Sequence, residues 1–370
     1  SILIFYSNSS NLCCTYYSWY DLNENLILMK LAFFGLGAIG KPMSERLINN
    51  GYELNLYQRN KLNKDYKRMY FFDPIAAVTD CDGLLICVTD DDAVESVLFG
   101  DNGVADSLKP NSFVIDFSTI SPTKSITIHK ELGKKNILYV DCPVSGGTEG
   151  ANKGSLSLFI GASKKECLFF EDIFKVIGKS INYFNGVGKG QQVKALNQIL
   201  VAGTYAAVAE AIELGKLLQL PMDDVVSALK IGAANSWPLE NRSKAMLIDK
   251  HPLGFKLELH HKDLSIAIEL AKSINIDLPI ASRVNEIEQK LRTNLNPVEF
   301  DIWDESHEHK GHTGAKDGAS HFFLRIVSSK FTDLNRVQRH KLVYGILDGY
   351  IPKKIHALSL ETIAPEELKL

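Results

Sequence analysis

The segment LAFFGLGAIGKPMSERL restricts the fold more than any other part of the chain. A β-rich run, Leu31–Gly35, leads directly into Gly35-x-Gly37-x-x-Gly40, and a helical pattern follows. Glycine lets the backbone turn tightly and approach a pyrophosphate, and the start of the following helix offers unpaired N–H groups and a partial positive charge. Strand, glycine turn and helix, with a second strand after them, is the context in which GxGxxG reads as a dinucleotide site. The loop Gly35, Leu36, Gly37, Ala38, Ile39 and Gly40 is therefore expected to hold the cofactor phosphates. The second strand, Leu54–Tyr57, runs into Gln58-Arg59-Asn60-Lys61. A site for NAD usually carries Asp or Glu there to bind the ribose 2′-hydroxyl. With no carboxylate to repel a 2′-phosphate, and a guanidinium to pair with it, Gln58, Arg59 and Asn60 favour NADP over NAD.

Short apolar runs recur at Leu54–Tyr57, Leu84–Val88, Phe113–Phe117, Leu138–Val140 and Leu156–Ile160, separated by helix- or loop-length segments. This alternation predicts βαβ units around a mainly parallel sheet, an α/β Rossmann domain over 29–188. From about Lys189 the spacing of apolar residues changes to three and four, which predicts an all-α domain over 189–281. The remainder, 282–370, reads as a small α+β module in the order α-β-β-α-β: Arg283–Leu295, Val298–Trp303, Phe322–Ser328, Arg336–Leu347 and Ile355–Leu360. Residues 1–28 contain no Lys or Arg and are rich in Tyr, Ser and Asn. They fit neither a secretory signal nor a mitochondrial presequence, and are expected to form a poorly ordered extension before a natural start at Met29.

Composition narrows the class of function. The 41 Lys+Arg against 44 Asp+Glu give a formal charge of -3, so nothing draws the chain as a whole to nucleic acid or to an anionic membrane. The six cysteines show no CxxC spacing and none lies beyond Cys167, which argues against a disulfide scaffold or zinc knuckle and for a cytoplasmic protein. No apolar run approaches the roughly 20 residues of a membrane helix.

Further along, DCPVSGGTEGA presents the Ser145 hydroxyl beside the bare peptides of Gly146 and Gly147, a set suited to a small carboxylate. In GKGQQVKALNQ, Lys194 and Asn197 stand three apart on one helix face. A lysine held against a cofactor can give or take the proton of a hydroxyl or carbonyl oxygen. With ICVTDDDAVESVLFG, DFSTISP (116–122) and HKDL, these segments resemble, in order and over about 29–281, the β-hydroxyacid dehydrogenases. That family includes 3-hydroxyisobutyrate dehydrogenase and the tartronate and succinic semialdehyde reductases. The resemblance implies an active site between a Rossmann and a helical domain, and a homo-oligomer. It implies Lys194 as the acid/base, Asn197 holding the substrate, and Ser145, Gly146 and Gly147 on its carboxylate. Val88, Thr89, Thr119 and Lys262 would lie along the cofactor, and the substrate would be a small hydroxy acid or semialdehyde. Trp237, Asn241 and Phe255 are candidates for shaping the pocket.

The tail carries RVNEIEQKL, FDIWDESHEHKGHTG, SHFFLRIVSSKF, LNRVQRHKLVYGIL and KKIHALSLETIAPEE. These resemble the BolA-like proteins through nearly all of 283–367. The resemblance implies a fold related to one class of KH domains and partnership with a monothiol glutaredoxin around a shared [2Fe–2S] cluster. The module has no cysteine, so any ligand it gives must be histidine, as in Rieske centres. His356 is one candidate; the loop donor lies among His307, His309 and His312, with His312 favoured. Nucleic acid is the weaker alternative partner, because 282–370 holds 13 Lys+Arg and 13 Asp+Glu and would release few counterions. At the join near 282, either one helix serves both the dehydrogenase-like part and the tail, or the dehydrogenase-like part lacks its final helix.

Overall fold

The computed structural model describes residues 29–59, 70–248, 257–295, 299–304, 321–346 and 357–367. The extension expected at 1–28 lies outside them.

The chain opens with β1 (Lys30–Phe34), α1 (Gly40–Asn49), β2 (Glu53–Tyr57), β3 (Tyr70–Phe71), α2 (Pro74–Val78), β4 (Gly83–Ile86), α3 (Asp91–Phe99), β5 (Phe113–Asp116), α4 (Pro122–Gly133) and β6 (Leu138–Asp141). All strand pairs in this sheet are parallel, in the order β3-β2-β1-β4-β5-β6. This is the Rossmann order, which reverses between β1 and β4. β1 is apolar at successive positions because both its faces are covered. Leu31 and Phe33 enter the core on one side, Ala32 and Phe34 the core on the other. Helix starts follow the chain's own polar residues. Asp90 caps α3 at the Ala93 amide, and Ser121, followed by Pro122, caps α4 at the Lys124 amide.

Next come β7 (Val144–Ser145), α5 (Gly147–Lys153), β8 (Leu156–Ile160), α6 (Lys164–Cys167), α7 (Glu171–Ile177) and β9 (Gly178–Tyr183). They add a second sheet, β7-β8-β9, beside the first. The strand runs read from the sequence match the observed ones to within a residue or two.

The helical part follows: α8 (Lys189–Leu217), α9 (Met222–Leu229), α10 (Trp237–Asn241), α11 (Ser243–Ile248), α12 (Leu257–Ser273) and α13 (Pro279–Leu295). Contrary to the expectation that no apolar run approaches membrane-spanning length, α8 is long and apolar enough to cross a membrane by length and composition. Here it packs against β8, α12 and α13.

The tail has β10 (Glu299–Asp304), β11 (His321–Val327), α14 (Arg336–Ile346) and β12 (Ala357–Ile363). β11 pairs antiparallel with β10 and parallel with β12. With α13 this is the expected α-β-β-α-β sequence of elements. Arg339 fixes the end of β12, donating to the Thr362 carbonyl at 2.9 Å and to both carboxylate oxygens of Glu367 at 2.6 and 2.7 Å. α13 begins a turn before the expected Arg283, because Pro279 suits the first helical position. It packs on α8 and α12 and also on α14, so a single helix joins the helical part to the tail.

Candidate functional site

The glycine turn leaves the C-terminal end of β1, beside the point where the strand order reverses. Gly35 has φ +96°, and a Cβ there would lie 2.1 Å from the Cys87 carbonyl oxygen. A Cβ on Gly40 would lie 1.9 Å from the Gly35 carbonyl oxygen, so α1 can start against the turn only through a glycine. Gly37, by contrast, faces open space. It borders a cleft of about 1860 Å³ that runs from this loop, past Gln58 and Arg59, to Lys194 and α8. The cleft fits a dinucleotide on chemical grounds: a glycine cradle at one end, and Gln58 Oε1 buried with no hydrogen-bond partner among the described residues at the end of β2. Val88, Thr89 and Thr119 line it between the two ends.

A buried polar network sets the geometry between the glycine turn and α8. The Asp141 carboxylate accepts from the amides of Gly188 at 2.8 Å and Gln191 at 3.1 Å, and so anchors the start of α8. Gln191 in turn donates to the Ser118 carbonyl at 2.9 Å and accepts from the Ile120 amide at 3.2 Å, which pins the backbone on both sides of Thr119. The Ser118 hydroxyl accepts from the Val88 amide at 2.9 Å, and the Ser118 amide donates to Asp116 Oδ1 at 2.9 Å. Burial pushes the Asp116 carboxyl up to about 6, against the hydrogen bonds that hold it ionised.

Lys194 lies one turn into α8 and is buried, 6% exposed. Burial pulls its ammonium down to about 8; Asp263 opposes the shift and Lys262 adds to it. On the same face of α8 the Ser145 hydroxyl donates to Asn197 Oδ1 at 3.3 Å, the Asn197 amide donates to Gln198 Oε1 at 2.7 Å, and Gln198 Nε2 donates to Asp263 Oδ2 at 3.0 Å. Asp263 Oδ1 pairs with Lys262 Nζ at 2.9 Å, and Lys262 donates to the Thr119 carbonyl. Ser145, Gly146, Gly147, Lys194, Asn197, Thr119 and Lys262, chosen from separate stretches of sequence, thus border one cleft.

Asp141, Gln191, Gln198 and Asp263 carry no sequence signal of their own: each lies in the same short segment as a candidate site residue, but a hydrogen bond between segments far apart in the chain leaves no local pattern. Trp237 and Asn241 also line the cleft. Asn60, Phe255, His312 and His356 lie outside the described residues. Among the described residues no group of three His, Cys, Asp or Glu could hold a metal ion.

Three family descriptions match the chain. Residues 30–186 match "NAD binding domain of 6-phosphogluconate dehydrogenase", residues 188–299 "NAD-binding of NADP-dependent 3-hydroxyisobutyrate dehydrogenase", and residues 291–367 "BolA-like protein". The 2-(hydroxymethyl)glutarate dehydrogenase of Eubacterium barkeri is 31% identical over 266 residues, 70% of this chain and 88% of that protein. The 2-hydroxy-3-oxopropionate reductase of Escherichia coli K12 is 33% identical over 262 residues, 70% of this chain and 90% of that protein. Among solved structures, the Mycobacterium tuberculosis 3-hydroxyisobutyrate dehydrogenase with L-serine has the same fold, with a TM-score of 0.64 and 23% identity over 72% of this chain and 95% of that one. The chain belongs to the β-hydroxyacid dehydrogenase family of oxidoreductases and continues into a BolA-like domain.

Proposed function

We propose that the chain is an NADP-preferring reductase or dehydrogenase of small β-hydroxy acids or semialdehydes of the 3-hydroxyisobutyrate type, with Lys194 as its acid/base. The observation that carries this reading is the buried Lys194, with an ammonium poised at about 8 on the face of α8 that also presents Asn197. When bound, the nicotinamide supplies a hydride to a carbonyl carbon, or takes one from an alcohol carbon. Lys194 Nζ gives its proton to the carbonyl oxygen during reduction and takes it from the hydroxyl during oxidation. Asn197, held by Ser145 and Gln198, orients the substrate. Ser145 and the peptide N–H groups of Gly146 and Gly147 receive the carboxylate. The glycine turn holds the pyrophosphate, Gln58 and Arg59 the ribose end, and Lys262 fixes the Thr119 backbone beside the nicotinamide. A panel of small semialdehydes and hydroxy acids, run with both cofactors, tests the reading. We expect NADP-linked turnover of at least one carboxylated member; turnover of none would contradict it.

The proposed division of the chain is 29–188, 189–281 and 282–370, with α13 common to the last two parts. A homo-oligomer is supported by an apolar patch on α8 and α13. Leu196 and Leu200, one turn apart, are 60% and 68% exposed, and Ile280 beside Gly203 is 65% exposed. Each large apolar side chain taken out of water adds about 1.5–3 kcal/mol, so a second copy covering this patch is favoured; gel filtration with light scattering reads the result. We place the protein in the cytoplasm.

For the BolA-like domain we propose an adaptor role beside the enzyme: pairing with a monothiol glutaredoxin around a [2Fe–2S] cluster. This reading rests on the sequence resemblance and its histidines, while the family match itself supports only a BolA-like domain. This chain would supply histidine nitrogen, with His356 and His312 as the candidates. Visible absorption and circular dichroism of the full chain mixed with cluster-loaded glutaredoxin test it. We expect a new mixed-cluster spectrum that His356→Ala abolishes; a spectrum unchanged by that substitution would contradict the ligand assignment.

A further inference from the structure

Arg242, between α10 and α11, has three contacts that divide between two domains. Its guanidinium carbon lies 4.7 Å from the centre of the Trp237 ring. It donates to the Tyr205 hydroxyl, and its Nη2 lies 3.0 Å from Glu149 Oε1. Trp237 and Tyr205 sit on α10 and α8, so these two contacts hold Arg242 within its own domain. Glu149 sits on α5, across the cleft, in the nucleotide-binding domain. All four side chains line the cleft.

α5 is the direct continuation of the Ser145–Gly147 stretch. Gly146 has φ +132°, which needs glycine, and Gly147 φ +60°, a left-handed conformation that favours it. The Gly150 amide closes it by donating to the Gly146 carbonyl at 2.8 Å. Glu149 therefore stands in the first turn after these two peptides, and a force on Glu149 acts on their orientation. Arg242 suits that task. An aromatic face and a hydroxyl already fix its planar fork, so pairing costs little extra side-chain freedom. Its side chain is 14% exposed, whereas that of Glu149 is 47% exposed. With one partner so open to water, the pair positions the turn more than it adds stability.

We propose that Arg242 is a positioning residue: gripping Glu149 across the cleft, it holds the Gly146–Gly147 turn in the orientation that receives the substrate carboxylate. This builds on the proposed reductase reading, since it assigns the turn to a carboxylate. The test uses the full chain as wild type, Arg242→Gln, Arg242→Lys, Glu149→Gln and the Arg242→Gln/Glu149→Gln double variant. KM and kcat are measured for a small carboxylated semialdehyde and for a neutral aldehyde of the same chain length. We expect either Gln variant to raise KM for the carboxylated substrate by about twofold to fivefold, with kcat and the neutral aldehyde changed by less than about 1.5-fold, and the double variant to be no worse than either single one. Arg242→Lys should recover part of the loss. Amide hydrogen exchange over Gly147–Gly150, which needs no turnover, should quicken in both Gln variants. Unchanged exchange, or an equal loss on the neutral aldehyde, would overturn the proposal. If the wild type turns over neither aldehyde, it is the reductase reading that fails, and the exchange measurement still decides whether Arg242 holds the turn.

Discussion

Gln198 Nε2 donates to Asp263 Oδ2 at 3.0 Å, and this bond ties α8, which carries Lys194, to α12, which carries Lys262. The buried Asp263 carboxylate therefore sits where it counters the desolvation of Lys194. Burial alone favours the neutral amine; the nearby carboxylate favours the ammonium.

The charge of Lys194 gives opposite pH dependences in the two directions. Reduction needs the ammonium as a proton donor, so its rate should fall as pH rises through about 8. Oxidation needs the free amine as a proton acceptor, so its rate should climb through the same pH. The check is a pair of pH–rate profiles under single-turnover conditions; two limbs of the same sign would contradict the assignment.

Asp263→Asn removes the negative charge and keeps the shape. The Lys194 pKa should drop further, and the alkaline limb of the reductive profile should move to lower pH. Gln198 keeps a hydrogen-bonding partner in this variant, so α8 and α12 stay tied while the Lys262 ion pair is lost. A limb that stays in place would show that Asp263 does not act on Lys194.

Glycine substitutions separate folding from cofactor binding. Gly37→Ala adds a methyl group to open space, so the melting temperature should hold while NADPH binding weakens by about tenfold or more, the methyl standing where backbone must meet the pyrophosphate. Gly40→Ala instead forces Cβ to 1.9 Å from the Gly35 carbonyl oxygen and should lower the melting temperature as well. Thermal melts with fluorescence titration of NADPH distinguish the two; equal melting temperatures for both variants would contradict the description of the turn.

Arg59 is exposed at the end of β2 beside the buried side-chain oxygen Oε1 of Gln58. Arg59→Ala should raise KM for NADPH by about tenfold, the loss of one charge-assisted pair, and leave KM for NADH within about twofold. An NADH preference in the wild-type chain would reverse the cofactor reading.

Much of this architecture was legible before any coordinates. Short apolar β-rich runs set the strands, and the glycine turn set the first βα unit, because both are written in consecutive residues. The tail's five elements were equally plain. β3 and β7, two residues each, and the mostly polar β9 were not read, since pairing across the sheet and not propensity makes them strands. The residues around Lys194 could be nominated one segment at a time. The links between them could not: Gln191 reaches Ser118 across 73 positions and Gln198 reaches Asp263 across 65. Arg242 and Glu149, 93 apart, pair for the same reason, that the fold folds two domains around one cleft.

The central claim is that Lys194 moves the proton. The most direct measurement is steady-state turnover by Lys194→Ala, with NADPH affinity determined by fluorescence titration on the same preparation. The account predicts kcat lower by about 10²–10⁴-fold with cofactor affinity nearly unchanged. Turnover close to wild type in a folded, NADPH-binding Lys194→Ala protein would contradict it.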